Sequence, residues 1–163
     1  MAPPSAVENT HTDVLRVARS SEAFASRAYS EVSLPAGSVV TKITGTTPAK
    51  KAYTSVQTGP DSHIELNSDL VYCDHSCDPS VVFDMSKMEV RVVDHRDLKA
   101  GDPLTFFYPS TEWDMDQPFD CRCGAGPKCN GRISGAKDMD PAVLQKYWLN
   151  PHIRELLKKQ SSA

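Results

Sequence analysis

The sequence has no long apolar run, no excess of basic residues and no even set of cysteines. No apolar run approaches the ~20 residues that a membrane-spanning helix needs, so we expect no membrane contact. A net charge of -3 and a pI near 5.9 argue against nucleic acid as the main partner. The N-terminus has neither the basic nor the apolar segment of a signal peptide. We therefore expect an intracellular protein, cytoplasmic or nuclear.

Cysteine is scarce and unevenly placed. The chain holds 5 cysteines, an odd number that cannot all pair, and this usage suits a reducing compartment better than a disulfide framework. Cys121, Cys123 and Cys129 follow one another with the spacing C-x-C-x5-C, in a loop rich in glycine and proline. This pattern is typical of a zinc site, but three thiolates leave a tetrahedral zinc one ligand short.

The missing fourth ligand can come from Cys73, from Cys77, from a histidine or from a carboxylate. Cys77 is the best of these candidates, because Pro79 favours a tight turn that could present its sulfur. The alternative is that the cysteines are buried thiols that pack as small hydrophobic side chains. The loop that contains Cys121–Cys129 offers little apolar surface for such packing, which favours the zinc site.

The remaining composition describes a globular protein that is mostly β. With 163 residues, 39% hydrophobic and 24% charged, the chain is long enough to bury a core. The polar segment 44–51 contains Pro48 and predicts a loop. Asp140 and Pro141 are an N-cap and a first helical residue, and a second helix is expected over 151–159. Short alternating or apolar segments predict strands over 14–18, 23–28, 39–43, 53–57, 63–66, 81–83, 88–93 and 104–108.

Three segments, taken together, resemble the SET-domain family of methyltransferases. Residues 74–80, DHSCDPS, are similar to the family signature N-H-S-C-x-P-N. Residues 99–108, KAGDPLTFFY, are similar to the family strand G-E-E-L-T-F-D-Y. Residues 121–131 are similar to the family's post-SET zinc loop, C-x-C-G-x3-C-x-G, and are one residue longer. The order and separation of the segments also match, and the resemblance covers roughly residues 14–137.

The resemblance implies a fold, a cofactor and a substrate class. The fold would be the β-clip of SET domains, in which small curved sheets surround a pseudoknot and short helices follow. The cofactor would be S-adenosylmethionine as methyl donor, usually with a protein lysine as acceptor. The chain would divide into a disordered arm (1–12), a SET-like domain (13–118), and a zinc loop with C-terminal helices (119–163). The family zinc takes its fourth ligand from the position of Cys77, which leaves Cys73 as a free core thiol.

Tyr108 matches the catalytic tyrosine of the family. Methyl transfer from a sulfonium is an in-line displacement, which needs alignment and electrostatic support more than a covalent nucleophile. A fixed phenol can supply both, although Tyr108 could also be a core tyrosine on an apolar strand. The resemblance further implies that Asp74 and the backbone of His75 bind the cofactor. Trp113 either lines the cofactor pocket or is ordinary packing.

The cofactor motif departs from the family pattern. Where the family has G-x-G before an apolar segment, this chain has Ser20 and Glu22 ahead of Phe24. Serine and glutamate hinder the close approach and the positive φ that glycine allows. Glu22 either pairs with the ammonium of the cofactor or repels its carboxylate. Asp74 replaces an asparagine, which exchanges a donor-and-acceptor amide for a group that only accepts.

The insert that builds one wall of the peptide groove in the family is nearly absent. About ten residues separate Ile43 from Tyr53, so we expect an acceptor cleft that is open or completed by a partner chain. The leading hypothesis is methyl transfer from S-adenosylmethionine to a protein lysine or a small amine-like substrate. One alternative is a SET-like scaffold that performs cofactor-independent small-molecule chemistry. The other is a non-catalytic, zinc-stapled interaction module.

Overall fold

The structure is a computed structural model that describes residues 11–19, 26–52, 54–115 and 117–161. The predicted cofactor residues Ser20, Glu22 and Phe24 lie outside the described residues, as does most of the predicted N-terminal arm. No helix in these described ranges is long and apolar enough to cross a membrane.

Short strands make up most of the described chain, and two helices close it. The helices are α1 (Pro141–Leu144) and α2 (Pro151–Ser161). Single turns of 3-10 helix cover Asp69–Tyr72, Tyr108–Ser110, Gly126–Lys128 and Ala136–Asp138. The strands are β1 (Leu15–Ala18), β2 (Arg27–Ser30), β3 (Val39–Lys42), β4 (Thr47–Ala49), β5 (Ser55–Gly59), β6 (Ser62–Glu65), β7 (Asp74–His75), β8 (Val81–Asp84), β9 (Glu89–Val92), β10 (Thr105–Phe106), β11 (Phe119–Asp120) and β12 (Arg132–Ile133).

The strands form small separate sheets rather than one large sheet. Two sheets have three strands, in the orders β3-β9-β8 and β4-β6-β5. The pairs β1-β2 and β11-β12 are antiparallel, whereas β7 and β10 pair in parallel. The predicted mostly β fold with short C-terminal helices is confirmed. The N-cap at Asp140 is also confirmed, since its carboxylate accepts a hydrogen bond from the backbone N–H of Ala142 at 2.9 Å.

Two predicted elements differ in the structure. Segment 44–51 was predicted to be a loop, but it contains β4, in which Pro48 pairs with Ile64. A proline is tolerated there because β4 is an edge strand, in which half of the backbone N–H positions face away from the sheet. The strand predicted over 104–108 is also shorter than expected. It ends at Phe106, and Tyr108 begins a 3-10 turn with Pro109 as its second residue.

Two hydrophobic cores meet at the segment that carries Tyr108. Successive residues of an extended chain face opposite sides, so Phe106 and Phe107 enter different cores. Phe106 stacks on Phe83 in the main core, with ring centroids 4.1 Å apart. Phe107 lies in the second core with Leu149 and Ile153 of the C-terminal region. The backbone at residues 106–108 is therefore held from both sides.

Asn150, which is fully buried, fastens the C-terminal region to this arrangement. Its amide nitrogen donates to the carbonyls of Phe83 and Ser110 at 2.8 and 2.9 Å, and its Oδ1 accepts from the N–H of Met85 at 2.8 Å. These bonds satisfy backbone groups that would otherwise be buried without partners. The start of α2 is thereby fixed against both β8 and the turn after Tyr108.

Candidate active site and metal centre

The two central motif segments lie side by side. In the parallel pair β7-β10, Asp74 is opposite Thr105 and His75 is opposite Phe106. The pairing continues past the strands, because the N–H of Ser76 donates to the carbonyl of Phe106 at 3.1 Å. The structure therefore brings the predicted residues Asp74, His75 and Tyr108 together.

Tyr108 lines a cavity and keeps its proton. Burial, with a smaller contribution from the charge of Asp74, raises the pKa of the Tyr108 hydroxyl far above its usual value. The hydroxyl lies 3.5 Å from the carbonyl oxygen of Cys73, a long contact that leaves its donor largely available. The ring is held by Phe106 and Phe119, at centroid distances of 4.8 and 6.0 Å. The geometry is that of a fixed hydrogen-bond donor.

His75 connects Tyr108 with the cysteine cluster instead of facing the cavity. Its Nδ1 accepts a hydrogen bond from the backbone N–H of Tyr108 at 3.1 Å, which assigns the proton to Nε2. That Nε2 lies 3.4 Å from the Sγ of Cys77. Burial lowers the pKa of His75 to about 4, so the ring is neutral near pH 7. An imidazole in this state positions its neighbours and does not act as a general base.

The cavity beside Tyr108 has a volume of about 400 Å³ and mainly apolar walls. Asp74 and Glu112 add two carboxylates, and no basic side chain is found among the described residues that line it. Asp74 forms an ion pair with Arg27 at 3.4 Å, and burial raises the pKa of its carboxyl. The apolar and aromatic part of the wall includes Val56, Leu66, Leu70, Val71, Tyr72, Phe106, Met115 and Phe119.

Glu112 is a cavity residue that the sequence analysis did not single out. Its Oε2 accepts hydrogen bonds from the backbone N–H of Gln57 at 2.9 Å and from the Thr111 hydroxyl at 2.7 Å. Burial raises the pKa of the carboxyl to about 7, against the opposing effect of these bonds. Its own N–H donates to the carbonyl of Tyr108 at 3.1 Å. The sequence signal available for Glu112 was its position, four residues after Tyr108 and across a turn that Pro109 favours.

Trp113 is placed away from the cavity. Its side chain packs against the second core, and its backbone N–H donates to Oε1 of Gln57 at 2.8 Å. The apolar neighbours of that core, such as Phe107 and Leu149, account for this position. Of the two roles considered for Trp113, the structure gives it the packing role. Phe119, which the sequence analysis overlooked, lines the cavity instead.

The four cysteines predicted to hold zinc converge on one point. The Sγ atoms of Cys77, Cys121, Cys123 and Cys129 all lie within 4.8 Å of one another, and those of Cys77 and Cys121 are 3.8 Å apart. Tetrahedral zinc with Zn–S bonds of about 2.3 Å requires sulfurs about 3.8 Å apart. Cys73 is buried in the main core instead. The cluster therefore fits a four-thiolate zinc site, and among the open alternatives the structure supplies Cys77 as the fourth sulfur.

The protonation of the cluster also bears on metal binding. Burial raises the pKa of the Cys77 thiol, and that of Cys121 still further. Burial acts in the same direction on Cys123, but hydrogen bonds from backbone N–H groups outweigh it and lower its pKa to about 7. A metal that binds four thiolates must displace these protons, so its affinity rises with pH.

Tyr147 ties the cysteine cluster to the second core. Its hydroxyl donates to the carbonyl oxygen of Cys77 at 2.6 Å and accepts from the side-chain amide of Asn130 at 2.9 Å. Its ring stacks on Phe107 with a centroid distance of 3.6 Å and an interplanar angle of 5°. The cluster is thus joined to the residue directly before Tyr108.

The fold is of the SET type. It combines small sheets and a parallel pairing of the two central motifs with a phenol at the cavity and an adjoining four-cysteine cluster. A sequence relative supports this class. The chain is 56% identical over 155 residues to the methyltransferase flvH of Aspergillus flavus, covering 94% of this chain and 86% of that protein. The chain belongs to the SET-domain family of methyltransferases.

More distant matches are partial. A histone-lysine N-methyltransferase, H3 lysine-36 specific, of Aspergillus oryzae is 33% identical over 76 residues, which is 44% of this chain and 8% of that protein. The crystal structure of KRYPTONITE in complex with mCHH DNA, H3(1-15) peptide and SAH matches with a TM-score of 0.53 and 21% identity. That match covers 72% of this chain and 29% of the other, and it supports the fold. None of the family models searched matches the chain.

Proposed function

We propose that this protein transfers a methyl group from S-adenosylmethionine to an amine nitrogen, either of a small amine or of a lysine side chain. The observation that carries the proposal is the cavity of about 400 Å³, in which the Tyr108 hydroxyl faces apolar walls that bear two carboxylates. Asp74 is already paired with Arg27, but the Glu112 carboxylate has no basic side chain beside it in the described wall, which favours a cationic ligand. The apolar walls favour the carbon chain of that ligand.

The relatives support the donor and the kind of acceptor. The Aspergillus oryzae relative is named a histone-lysine N-methyltransferase, and the KRYPTONITE crystal contains SAH and an H3(1-15) peptide. When bound, S-adenosylmethionine supplies a methyl group on an electrophilic sulfonium. Asp74 and Phe119 would hold it from the described part of the cavity, since a carboxylate can accept its N–H and O–H donors and an aromatic face can cover its adenine. Ser20, Glu22 and Phe24 would complete the site, together with the backbone of His75.

Tyr108 has the central role in this proposal. Its hydroxyl stays protonated and rigidly placed, so it can align the reacting groups by hydrogen bonding without competing for the methyl group. Phe106 and Leu70 contribute apolar surface to the wall beside it. Tyr108 thus supplies alignment, which is a main requirement of an in-line displacement.

The experiment combines binding and transfer. Calorimetry measures S-adenosylmethionine binding to zinc-loaded protein, and mass spectrometry then follows a labelled methyl group into two panels, free alkylamines and lysine-containing peptides. We expect binding together with transfer to at least one panel, and the panel that reacts assigns the acceptor. Absence of both binding and transfer would overturn the proposal and favour cofactor-independent chemistry on the same scaffold.

A further inference from the structure

The two oxygens of the Glu112 carboxylate have different surroundings. Oε2 is held by two donors, the N–H of Gln57 and the hydroxyl of Thr111, at 2.9 and 2.7 Å. Oε1 has no hydrogen-bond partner among the described residues, while the side chain lines the cavity. Glu112 is half-buried, so Oε1 is accessible from the cavity. The structure therefore presents one fixed and one available oxygen to whatever occupies the cavity.

The lysine whose charge acts on Glu112 forms its ion pair with another residue. Lys51 acts on Glu112 through its charge, but its ammonium forms an ion pair with Asp114 at 3.2 Å. Asp114 also pairs with Lys137 at 3.5 Å and does not line the cavity. Since no basic side chain of the described residues reaches the cavity wall, a cation for Oε1 has to arrive with a ligand.

We propose that Glu112 binds the ammonium form of the acceptor amine through Oε1 and accepts its proton before methyl transfer. This inference rests on the proposed function. The amine R–NH₃⁺ gives one proton to the carboxylate, which frees the nitrogen lone pair. The lone pair then forms the N–C bond as the sulfonium S–C bond breaks, which leaves a neutral thioether and a methylated ammonium. Glu112 afterwards returns its proton to water.

The electrostatic environment suits such a proton acceptor. Burial raises the pKa of Glu112 to about 7, so the group is ionised above neutral pH and can hold a proton. Lys51 and the two hydrogen-bond donors oppose this rise. Tyr108 is neutral, and Asp74 lies in the same cavity wall. The Nε2 of His152 lies 2.8 Å from the carbonyl oxygen of Thr111, and burial lowers the pKa of this histidine.

The kinetic test uses Glu112→Gln with the best amine found for the wild type. Glutamine keeps one oxygen for Gln57 and Thr111 but cannot take a proton, so kcat/KM should fall on the order of 10²-fold. The wild-type kcat/KM should rise to a plateau above pH ~7. In the variant it should keep rising toward the amine's own pKa near 10, because only neutral amine reacts. Glu155→Gln, at an exposed glutamate of α2 that pairs with Lys159, is the matched control and should keep the wild-type plateau.

A second readout needs no cofactor. Carbon-13 NMR of protein labelled at glutamate carboxyls follows Glu112, whose signal is the one lost in Glu112→Gln. We expect n-butylammonium to lower the pKa of Glu112 by about 1 or more, and the neutral isostere n-butanol not to lower it. If n-butylammonium leaves this titration unchanged, or if Glu112→Gln keeps the wild-type pH profile, the inference is wrong. If wild type transfers no methyl group, the proposed function fails, and the NMR titration still decides the role of Glu112.

Discussion

The imidazole of His75 accepts the backbone N–H of Tyr108 at Nδ1, at 3.1 Å, while its Nε2 lies 3.4 Å from Cys77 Sγ. One buried ring therefore joins the cavity tyrosine to the cysteine cluster. Such an outer contact orients a metal ligand and fixes the tautomer of the histidine. The metal centre and the reactive cavity are consequently parts of one structure.

Substitution of His75 tests this link. His75→Ala leaves the Tyr108 N–H buried without an acceptor, which costs about 1–3 kcal/mol, and it removes packing against Phe107 and Phe119 as well. We expect a lower free energy of unfolding in urea together with weaker zinc retention. His95, an exposed histidine whose Nε2 lies 3.8 Å from Oδ1 of Asp78, provides the control. His95→Ala should match wild type in both measurements, and equal behaviour of the two variants would contradict the link.

Zinc should bind with a stoichiometry of one per chain. Because binding and folding of the loop are coupled, Cys121→Ser should lose the metal and expose the chain after about Phe119 to proteases. Elemental analysis of reduced, chelator-free protein and limited proteolysis measure the two effects. Cys73→Ala is the control, since Cys73 lies in the main core, and it should keep the zinc. Protein that contains no metal, or a Cys121→Ser chain as resistant as wild type, would refute the site.

Removing the hydroxyl of Tyr108 should affect turnover far more than stability. In Tyr108→Phe the ring keeps its contacts with Phe106 and Phe119, and the hydroxyl loses only a contact of 3.5 Å. Loss of a transition-state hydrogen bond should raise the barrier by about 2–4 kcal/mol, by analogy with removal of an oxyanion-hole donor. Turnover and melting temperature are compared with those of Tyr29→Phe, outside the cavity. Unchanged turnover with a lower melting temperature would make Tyr108 a structural residue.

The burial of Glu112 should appear in the pH dependence of stability. Its pKa rises from 4.5 in the unfolded chain to about 7 in the fold, so the folded state holds the proton more tightly. Stability from this group is therefore lost as the pH rises from 4.5 to 7. Glu112→Gln removes that loss and should stabilise the protein at pH 8 by at most about 3 kcal/mol, with little effect at pH 4. Urea unfolding at both pH values measures it, and equal shifts at both would disprove the assignment.

The zinc ligands and the tyrosine could be predicted because their chemistry constrains the residue type. Tetrahedral coordination requires a fourth donor, and the turn at Pro79 favoured Cys77, whose sulfur lies with the others. Tyr108 was predicted as the end of a strand, although it begins a 3-10 turn. Tyr108 still lies beside Asp74 and His75, because the pairing of β7 with β10 fixes Thr105 and Phe106 just before it.

Glu112 was missed because its role depends on contacts that are distant in sequence. A lone glutamate after a strand is usually solvated, whereas this one accepts a hydrogen bond from the N–H of Gln57, 55 residues away. The role of Trp113 could not be chosen from the sequence, because an aromatic residue close to a reactive tyrosine fits both a pocket and a core. Its packing against the second core assigns it the core role. Pro48 was misassigned because edge position in a sheet is not visible in a local pattern.

The hydrogen bonds of Asn150 have a consequence for how the protein is made. Asn150 bonds the carbonyl of Phe83, 67 residues earlier, and that of Ser110, 40 residues earlier. During synthesis, the turn that carries Tyr108 leaves the ribosome well before the residue that holds it in place. The turn therefore gains this support only after Asn150 has emerged, 40 residues later than Ser110 itself.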